Sequence, residues 1–517
     1  MKNLSIFNDV IGPVMRGPSS SHTAASYHLA AVMRSLLGDE PVEAQFTFDA
    51  NGSYGRVYRE QGSDLAFAAG LLGWPMTDPR FPQALEIAAS QGLAIRFVTQ
   101  DLPEADHPNT VEAILQGLSG RRLHVVGRSI GGGAVEITAL DGWPVLMTGK
   151  DYDVAVEAEG TEQQEIGRLL TADGQAAAEP VCHVRQGRTF TWAQRTTPLP
   201  EPLRAKLEQD PAVKRLWQSE PVFFVKRGPP LFSSALQWVE LARARNLSAG
   251  QAALQYEARL LGLPESQIIA ETVRRFDVMA AAVKAGLGDD LPPMQLLRPT
   301  AGRIYRAEAE GRVAMGGLHT RAAARAMAAM HVNCGMGVVC AAPTAGSAGV
   351  LPGVLVTLHE EMQMSKELIA HALLAAGGVG LIVAQRATFA AEVAGCQVEI
   401  GAAGAMAAAA VVETVGGTAE QAADAAAIAF QNTMGSVCDL VQGIVEIPCH
   451  TRNAAAAASA FVCADLILGG YENPIPLDET IDAVYAVGKM LPAELRVTSL
   501  GGLAVTPSAC AMKRVGR

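Results

Sequence analysis

Four long runs of small apolar residues restrict the fold of this chain more than any other feature. They are built mostly from alanine, glycine and valine, and they cover residues 372–384, 402–415, 419–430 and 453–468. Alanine is the best helix former, and runs of this length exceed an ordinary buried strand. The second half of the chain is therefore predicted to be a tightly packed helical region. It is either an ordinary bundle or a bundle that surrounds a buried inorganic group.

Three cysteines lie in this apolar region. Cys396 occurs in A-G-C-Q-V-E-I-G, while Cys438 and Cys449 occur in S-V-C-D-L-V-Q-G-I-V-E-I-P-C-H-T-R-N. Thiolates are soft ligands that suit iron-sulfur clusters or zinc, and three of them leave a fourth metal position open. Structural zinc normally uses closely spaced pairs such as C-x2-C, and no such pair occurs here. The spacing indicates a metal site that can bind a substrate.

Composition excludes several classes of protein. The chain has 517 residues, enough for two or three domains, and its formal charge of −11 argues against a nucleic-acid partner. The N-terminus lacks the apolar core of a signal peptide, and the apolar runs are shorter than the roughly 20 residues of a membrane span. We therefore expect a cytoplasmic protein with no membrane partner. Eight cysteines are too few for a disulfide scaffold.

The first 149 residues mix helix and strand patterns. Strands are predicted at 42–49, 93–98 and 122–126, and helices at 25–37, 64–72, 82–91 and after H-P-N-T at 107–110. The turn G-P-S-S-S-H-T at 17–23 precedes the first of these helices. It is either a simple helix cap or a carboxylate-binding turn with His22 near a reacting centre. The glycine triplet at 131–133 lets backbone approach a ligand closely.

The middle of the chain predicts a ferredoxin-like unit. Its pattern is strand 153–157, helix 163–170, strands 181–184 and 189–194, helix 201–216 and strand 222–225. The predicted fold class is therefore α+β. It comprises an N-terminal mixed α/β domain (1–149), a ferredoxin-like unit (150–228) and a C-terminal all-helical domain (229–517) that carries the cysteines.

An ordered set of motifs resembles the iron-sulfur-dependent L-serine dehydratases. The motifs are G-P-S-S-S-H-T (17–23), H-P-N-T (107–110), S-I-G-G-G (129–133), A-A-P-T-A-G-S-A-G (341–349), G-C-Q-V-E-I-G (395–401), C-D-L-V-Q-G (438–443), P-C-H-T-R-N (448–453) and G-G-L-A (501–504). Any one of them is weakly specific. Their order and the cysteine spacings together are typical of this family.

The resemblance implies a reaction and a domain plan. Cys396, Cys438 and Cys449 would hold a [4Fe-4S] cluster whose fourth iron binds the substrate hydroxyl as a Lewis acid. L-serine, or a related small hydroxy amino acid, would lose water to give an enamine that collapses to a 2-oxo acid and ammonia. Residues 1–149 would form the family's beta-type domain and 229–517 its alpha-type domain, with an ACT-type unit between them. The expected partner is the amino acid substrate, and the expected assembly is a homodimer.

The resemblance also implies roles for individual residues. Catalytic roles fall to Ser20, Ser21, His22 and His450. Substrate binding falls to Ser19, Thr23, Asn109, Ser129, Gly131, Gly132, Thr344 and Arg452, with Arg128 and Arg303 as alternative carboxylate clamps. Cys510, in the C-terminal tail, is either a removable fourth cluster ligand or an unconstrained thiol. Cys334, Cys340 and Cys463 lie in apolar contexts and are expected to be core residues.

Three positions depart from the family pattern. Gln61 stands where the family has a histidine proposed as catalytic, Leu440 replaces a proline, and His450 replaces an apolar residue after the third cysteine. Glutamine cannot act as a base near neutral pH, so His22 or another group takes the proton, or the substrate differs. Two alternatives therefore stay open: β-elimination from another amino acid such as cysteine, and a non-catalytic cluster protein that senses a ligand.

Overall fold

The computed structural model describes residues 2–160, 163–291 and 294–515. The chain divides into two compact units. One unit combines the N-terminal residues up to Ser20 with Gly228 and all that follows, and the other contains Ser21–Arg227. The N-terminal 20 residues therefore pack with the cysteine-bearing half of the chain.

Two short elements occupy this N-terminal segment: helix α1 (Ile6–Asp9) and strand β1 (Val14–Arg16). The side chain of Ser5 caps α1 by accepting a hydrogen bond from the Asn8 amide. The carboxylate of Glu257, which is fully buried, accepts hydrogen bonds from the amides of Ile6 (2.9 Å) and Phe7 (3.1 Å). These bonds anchor the segment to the helical unit.

The unit Ser21–Arg227 begins within a π-helical turn at Ser20–Ala24. Its helices are α2 (Ala25–Leu37), α3 (Ser53–Val57), α4 (Ser63–Leu71), α5 (Ala84–Ser90), α6 (Gln163–Thr171) and α7 (Glu201–Gln209). Its strands are β2 (Pro41–Asp49), β3 (Ala94–Gln100), β4 (Thr110–Gly117), β5 (Arg122–Gly131), β6 (Ala134–Leu140), β7 (Trp143–Met147), β8 (Tyr152–Glu159), β9 (Val181–Arg185), β10 (Arg188–Arg195) and β11 (Val213–Gln218).

The first sheet of this unit has six strands in the order β3-β2-β4-β5-β6-β7. The pair β2–β3 is parallel and the other neighbours are antiparallel. The aromatic rings of Phe46 in β2 and Phe67 in α4 stack with centroids 4.2 Å apart, so helix and sheet share one core. Helix α2 packs its buried face, which includes Leu29 and Met33, into the same core and ends at Gly38 in the left-handed conformation.

The second sheet has four antiparallel strands in the order β11-β8-β10-β9. With α6 and α7 these strands follow the β-α-β-β-α-β order of a ferredoxin-like unit. One face of the sheet packs against α6 and α7 through Val154, Val156 and Leu207. The opposite face buries Phe190 and Trp217, and the ring of Trp143 from β7 stacks on Phe190. This module and the six-stranded sheet therefore share a core.

Three predictions in this unit are wrong. The helix predicted at 201–216 ends at Gln209, and the last strand is β11 at 213–218 and not 222–225. Pro211 lacks an amide hydrogen and disfavours helical backbone at Asp210, so the chain leaves the helix there. The segment after residues 107–110 is strand β4 and not a helix, and its burial alternates as expected for a strand with one face on a core.

The remaining unit is mainly helical. Its helices are α8 (Ala235–Arg245), α9 (Ala249–Leu261), α10 (Glu265–Gly286), α11 (Ala301–Ala309), α12 (Leu318–Cys334), α13 (Val350–Glu361), α14 (Lys366–Arg386), α15 (Ala391–Ala394), α16 (Ile400–Thr414), α17 (Ala419–Thr433), α18 (Cys449–Leu468), α19 (Leu477–Met490) and α20 (Pro507–Cys510). The region is not all-helical as predicted, because strand β12 (Val338–Cys340) pairs antiparallel with β1. This pairing needs a partner strand more than 300 residues away in sequence.

Helices α14 and α16 form the centre of this unit. Lys366–Arg386 and Cys396–Thr414 are both long and apolar enough to cross a membrane by length and composition. The predicted apolar runs were shorter than these helices turn out to be. Within the protein, however, 78% and 94% of their apolar windows are buried, as in helices of a protein core. Every residue of α16 is buried, which explains its almost unbroken run of alanine, glycine and valine.

Candidate functional site

The three cysteines lie where loops meet the starts of two central helices. Cys396 opens a 3-10 turn directly before α16, and Cys449 is the first residue of α18. Cys438 is held from both sides by the tail, because its amide donates to the Leu495 carbonyl and its carbonyl accepts from the Val497 amide, both at 2.8 Å. All three side chains are buried.

The side chain of Gln397 draws two of these loops together. Its amide nitrogen donates to the Ala394 carbonyl, and its amide oxygen accepts from the Gly435 amide, each at 2.9 Å. Gly395 has a φ of 76°, and a Cβ there would lie 2.7 Å from the Ser436 carbonyl oxygen. A glycine is therefore required for the approach of the Cys396 loop to the loop that carries Cys438.

A carboxylate completes a group of ligand atoms. One oxygen of Glu399 and the sulfurs of Cys396 and Cys438 all lie within 4.8 Å of one another, so these three residues can bind a metal ion. The hydroxyl of Thr344 donates a hydrogen bond to Glu399. A Cβ at Gly346 would lie 2.6 Å from the same carboxylate, so its glycine leaves room for Glu399. Glu399 was not predicted, although it stands three residues after Cys396 in the same motif.

Asn453 connects this loop to Cys449. Its side-chain nitrogen donates to the carbonyls of Gly346 and Cys449, both at 2.9 Å, and its oxygen accepts from the Gly349 amide at 3.1 Å. The residue is fully buried. The final asparagine of P-C-H-T-R-N thus fixes the A-A-P-T-A-G-S-A-G segment beside the start of α18. Four sequence motifs therefore meet at one place in this unit.

Burial and nearby charged groups determine the protonation of the thiols. The hydrogen bond with Cys396 and burial raise the pKa of Cys438, and burial also raises the pKa of Cys449 well above its ordinary value. Without a metal the thiols of Cys438 and Cys449 are consequently protonated, and a metal must displace their protons. Arg452 supplies a positive charge, because its guanidinium lies 3.6 Å from the Cys396 sulfur and 3.0 Å from an Asp439 oxygen. Loss of surrounding water raises the pKa of Glu399 to about 7.

His450 is buried and not a surface imidazole. Its Nδ1 lies 2.9 Å from the Glu446 carbonyl and therefore donates to it, which leaves Nε2 unprotonated in the neutral ring. Among the described residues this Nε2 has no hydrogen-bond partner. The ring of His331 is 4.9 Å away, and burial lowers the pKa of His450. The neutral imidazole thus retains a free acceptor nitrogen.

A second group of predicted residues lies in the unit Ser21–Arg227. The Nε2 of His22 is 2.9 Å from the Ser53 hydroxyl, and its Nδ1 is 3.1 Å from the Ser21 hydroxyl. Tyr54 packs edge-on against the imidazole. Surrounding protein lowers the pKa of His22 to about 4, so the ring is neutral at pH 7. Ser53 was not predicted, and no motif pointed to it.

Backbone hydrogen bonds link this histidine to the other predicted residues of the same unit. The Ser53 amide donates to the Pro108 carbonyl at 2.7 Å, and the Ser129 amide donates to the Asn109 carbonyl at 3.2 Å. The Asn109 side-chain oxygen is buried with no partner among the described residues. Gly131 and Gly132 follow in a turn with φ values of 94° and 63°. His22, Asn109 and the glycine turn therefore lie along one connected edge.

Thr23 and Gln61 lie beside this edge. The Thr23 hydroxyl donates to the Gln61 carbonyl at 2.6 Å. The side-chain oxygen of Gln61 is buried and has no partner in the described part of the chain. Gln61, one of the three positions that depart from the family pattern, thus lies next to the serine-rich turn.

Several predicted residues lie elsewhere or are already paired. Cys510 is exposed, and its sulfur lies 3.8 Å from the Ala504 carbonyl oxygen. Arg128 forms ion pairs with Asp106 (2.6 Å) and Glu136 (2.8 Å), which occupy its guanidinium. Ser19 is half-buried and Ser20 is buried, in the segment that β1 attaches to β12. Arg303 is exposed on α11.

Soft thiols, a carboxylate and a nearby guanidinium form a buried group that could hold a metal ion in the helical unit. The sequence model of the Serine dehydratase alpha chain family matches residues 164–504. The "Probable L-serine dehydratase, alpha chain" of Bacillus subtilis is 38% identical over 278 residues, 54% of this chain and 93% of the relative. The "L-serine dehydratase, alpha chain" of Peptoniphilus asaccharolyticus is 37% identical over 275 residues, 53% and 94% of the two chains.

A further relative is similar to the N-terminal region. The "Probable L-serine dehydratase, beta chain" of Bacillus subtilis is 42% identical over 156 residues, 30% of this chain and 69% of the relative. The chain belongs to the serine dehydratase alpha chain family, and it joins a beta-like part to the alpha part in one polypeptide. The family resemblance predicted from the motifs is confirmed.

Proposed function

We propose that this protein is a [4Fe-4S]-dependent L-serine dehydratase, which converts L-serine or a related small hydroxy amino acid to a 2-oxo acid and ammonia. The observation that carries the proposal is the meeting of Cys396, Cys438 and Glu399 within 4.8 Å, next to Cys449 at the start of α18. The names of the relatives supply the reaction class.

The donor set fits such a cluster. In the proposal Cys396, Cys438 and Cys449 are its three thiolate ligands, because thiolates are the usual ligands of iron-sulfur clusters. Arg452 offsets part of the negative charge that the thiolates acquire on losing their protons. When bound, the cluster supplies an open iron that acts as a Lewis acid on the substrate hydroxyl. Cys510 is only a tentative fourth ligand, because its thiol is exposed and not buried with the other three.

The chain's own residues would supply substrate binding and proton transfer. We assign the substrate carboxylate to the hydroxyls and amides of Ser19, Ser20, Ser21 and Thr23, as anions bind readily at the start of a helix. His22 is our proposed proton acceptor, because its ring is neutral at pH 7 and Ser53 orients it. His450 is the alternative acceptor, with its free Nε2.

The other predicted residues keep their proposed roles. Thr344 is proposed to bind the substrate, and its hydroxyl also donates a hydrogen bond to Glu399. Arg452 combines charge compensation with substrate binding. Asn109, Ser129, Gly131 and Gly132 form the rest of the proposed substrate edge. The proposed domains are 1–149, 150–228 and 229–517, with the middle one of ACT type. We further propose a cytoplasmic homodimer without nucleic-acid or membrane partners.

One observation favours a second candidate function. Gln61 replaces a family histidine, and its side-chain oxygen is buried without a partner among the described residues. Glutamine cannot take a proton as the family histidine could, so β-elimination from another amino acid such as cysteine is the alternative. A non-catalytic cluster protein would need Cys510 as a permanent ligand, whereas the contact that Cys510 makes in the described part of the chain is with the Ala504 carbonyl.

The test is substrate turnover by protein purified and reconstituted without oxygen. L-Serine should yield pyruvate and ammonia, while L-cysteine should yield little pyruvate and sulfide. The variant Gln61→His is the informative companion, because it restores the family residue at the one position that argues for a different substrate. If serine yields no 2-oxo acid and cysteine does, the second candidate replaces the first. If neither is consumed by cluster-loaded protein, both fail.

A further inference from the structure

Residues 495–503 of the C-terminal segment, here called the clasp, hold the start of the loop that joins Cys438 to Cys449. The amide and the carbonyl of Cys438 are both bonded to the clasp backbone. The Ser499 hydroxyl donates to the Leu440 carbonyl at 2.7 Å. Leu440 is only 5% exposed, so water cannot readily replace this bond while the loop keeps its place. The clasp therefore positions the loop through direct hydrogen bonds.

Asp439 gives the clasp a further attachment. One oxygen of its carboxylate accepts a hydrogen bond from the Leu503 amide at 2.8 Å, and the other lies 3.0 Å from the guanidinium of Arg452. A Cβ at Gly502 would clash with this carboxylate, so the close approach of the clasp requires glycine there. Because Arg452 also lies 3.6 Å from the Cys396 sulfur, the clasp is connected to the surroundings of a second thiol.

Backbone strain and exposure lower the stability of the clasp. Val497 and Ser499 adopt the left-handed conformation, with φ values of 68° and 58°. This conformation is costly for residues other than glycine, and most of all for a β-branched one. The apolar side chains of the clasp are poorly buried, since Leu500 is 68% exposed and Leu503 is 44% exposed. A strained segment with few buried apolar contacts opens at a lower free energy than the core around it.

Both ends of the clasp are anchored. Helix α19 precedes it and ends at Met490, and Ala509 packs with Leu296 and Val441 after it. The clasp can therefore lift away as a loop while the chain on either side stays in place.

We propose that the clasp is a strap that positions Cys438 when seated, and that its local opening gives a metal access to the Cys438 thiol. Opening breaks the bonds to Cys438 and Leu440 together, which frees the start of the loop. The device acts through the clasp and not through Cys510, which lies beyond the anchored end. The inference rests on the proposed thiolate ligands, and it goes beyond the proposed reaction.

The test is alkylation of the metal-free, full-length protein by iodoacetamide under native conditions without oxygen. The rate is read separately at Cys438 and at Cys463 by mass spectrometry of their peptides. Both thiols are buried, so each reacts only when the structure around it opens. Cys463 on α18 reports opening of the helical core. Since neither metal nor substrate is present, the result is separate from success or failure of the proposed reaction.

Two variants weaken different attachments of the clasp. Ser499→Ala removes the bond to the Leu440 carbonyl and should raise the alkylation rate at Cys438 about 5- to 10-fold. Gly502→Ala places a Cβ against the Asp439 carboxylate and should raise the same rate. Ser508→Ala is the matched control, because Ser508 is exposed on α20 outside the clasp, and it should react as the wild type does.

The rate at Cys463 separates opening of the clasp from general unfolding. An increase at Cys438 with an unchanged rate at Cys463 supports the proposal. Wild-type rates at Cys438 in both clasp variants would overturn it. An equal increase at both thiols would also overturn it, because access would then come from unfolding of the whole unit.

Discussion

Replacement of Gln397 by alanine tests how the cysteine loops are brought together. The fully buried side chain makes two hydrogen bonds of 2.9 Å, one to Ala394 in the Cys396 loop and one from Gly435 in the loop before Cys438. Its removal leaves a buried carbonyl and a partly buried amide without partners. A lost hydrogen bond costs about 1 kcal/mol, and an unpaired buried group about 1–3 kcal/mol. We expect the free energy of unfolding to fall by roughly 2–4 kcal/mol.

Gln397→Ala should also bind less metal. The Gln397 hydrogen bonds hold together the loops that carry the Cys396 and Cys438 sulfurs near Glu399. Urea unfolding measures the stability, and iron content after reconstitution measures the site. Gln431→Ala is the control, because Gln431 on α17 donates its side-chain hydrogen bond to Asn473 and not to a cysteine loop. If Gln397→Ala has the same free energy of unfolding and the same iron content as the control, the Gln397 hydrogen bonds have no role in assembling the site.

Three further changes test separate parts of the account. Burial raises the pKa of Asp153 to about 7 from 3.8, so its contribution to stability falls as the pH rises from about 4 through 7. Asp153→Asn, which keeps an acceptor for Trp192, should remove about 3 kcal/mol of that pH dependence between urea unfolding at pH 5 and at pH 8, because about two pH units separate pH 5 from the raised pKa; an unchanged dependence would contradict this. Ser53→Ala should lower kcat/KM about 10- to 100-fold through misorientation of His22, with little change in stability; equal kinetics would show that the bond has no positioning role. Cys510→Ser should leave iron content unchanged because the thiol is exposed, whereas lost iron would identify Cys510 as a ligand.

Local chemistry predicted much of the fold. The helix 25–37 was correctly delimited, because its apolar periodicity ends at Gly38, which adopts the left-handed conformation. The β-α-β-β-α-β order of the middle unit also followed from pattern. The error at 201–216 arose from apolar residues at helical spacing that continue past Pro211, where the missing amide hydrogen decides the outcome.

Long-range contacts limited what could be predicted of the site. The pairing of β1 with β12 joins segments more than 300 residues apart, and neither strand is long enough to give a pattern. Ser53 approaches His22 because the turn after β2 meets the start of α2, which no local sequence signal encodes. Glu399 could have been predicted as a candidate ligand from the sequence, since it shares a motif with Cys396. Its closeness to Cys438, however, depends on the loop contacts of Gln397.

The most direct test of the central claim is the iron and acid-labile sulfide bound after anaerobic reconstitution of Cys396→Ser, Cys438→Ser and Cys449→Ser. Cys463→Ser is the control, because Cys463 is also buried on α18 but its sulfur contacts Ser459. We expect about four iron atoms per chain in the wild type and the control, and a large loss in each of the three variants. Retention of full iron and sulfide by the three variants would contradict that claim.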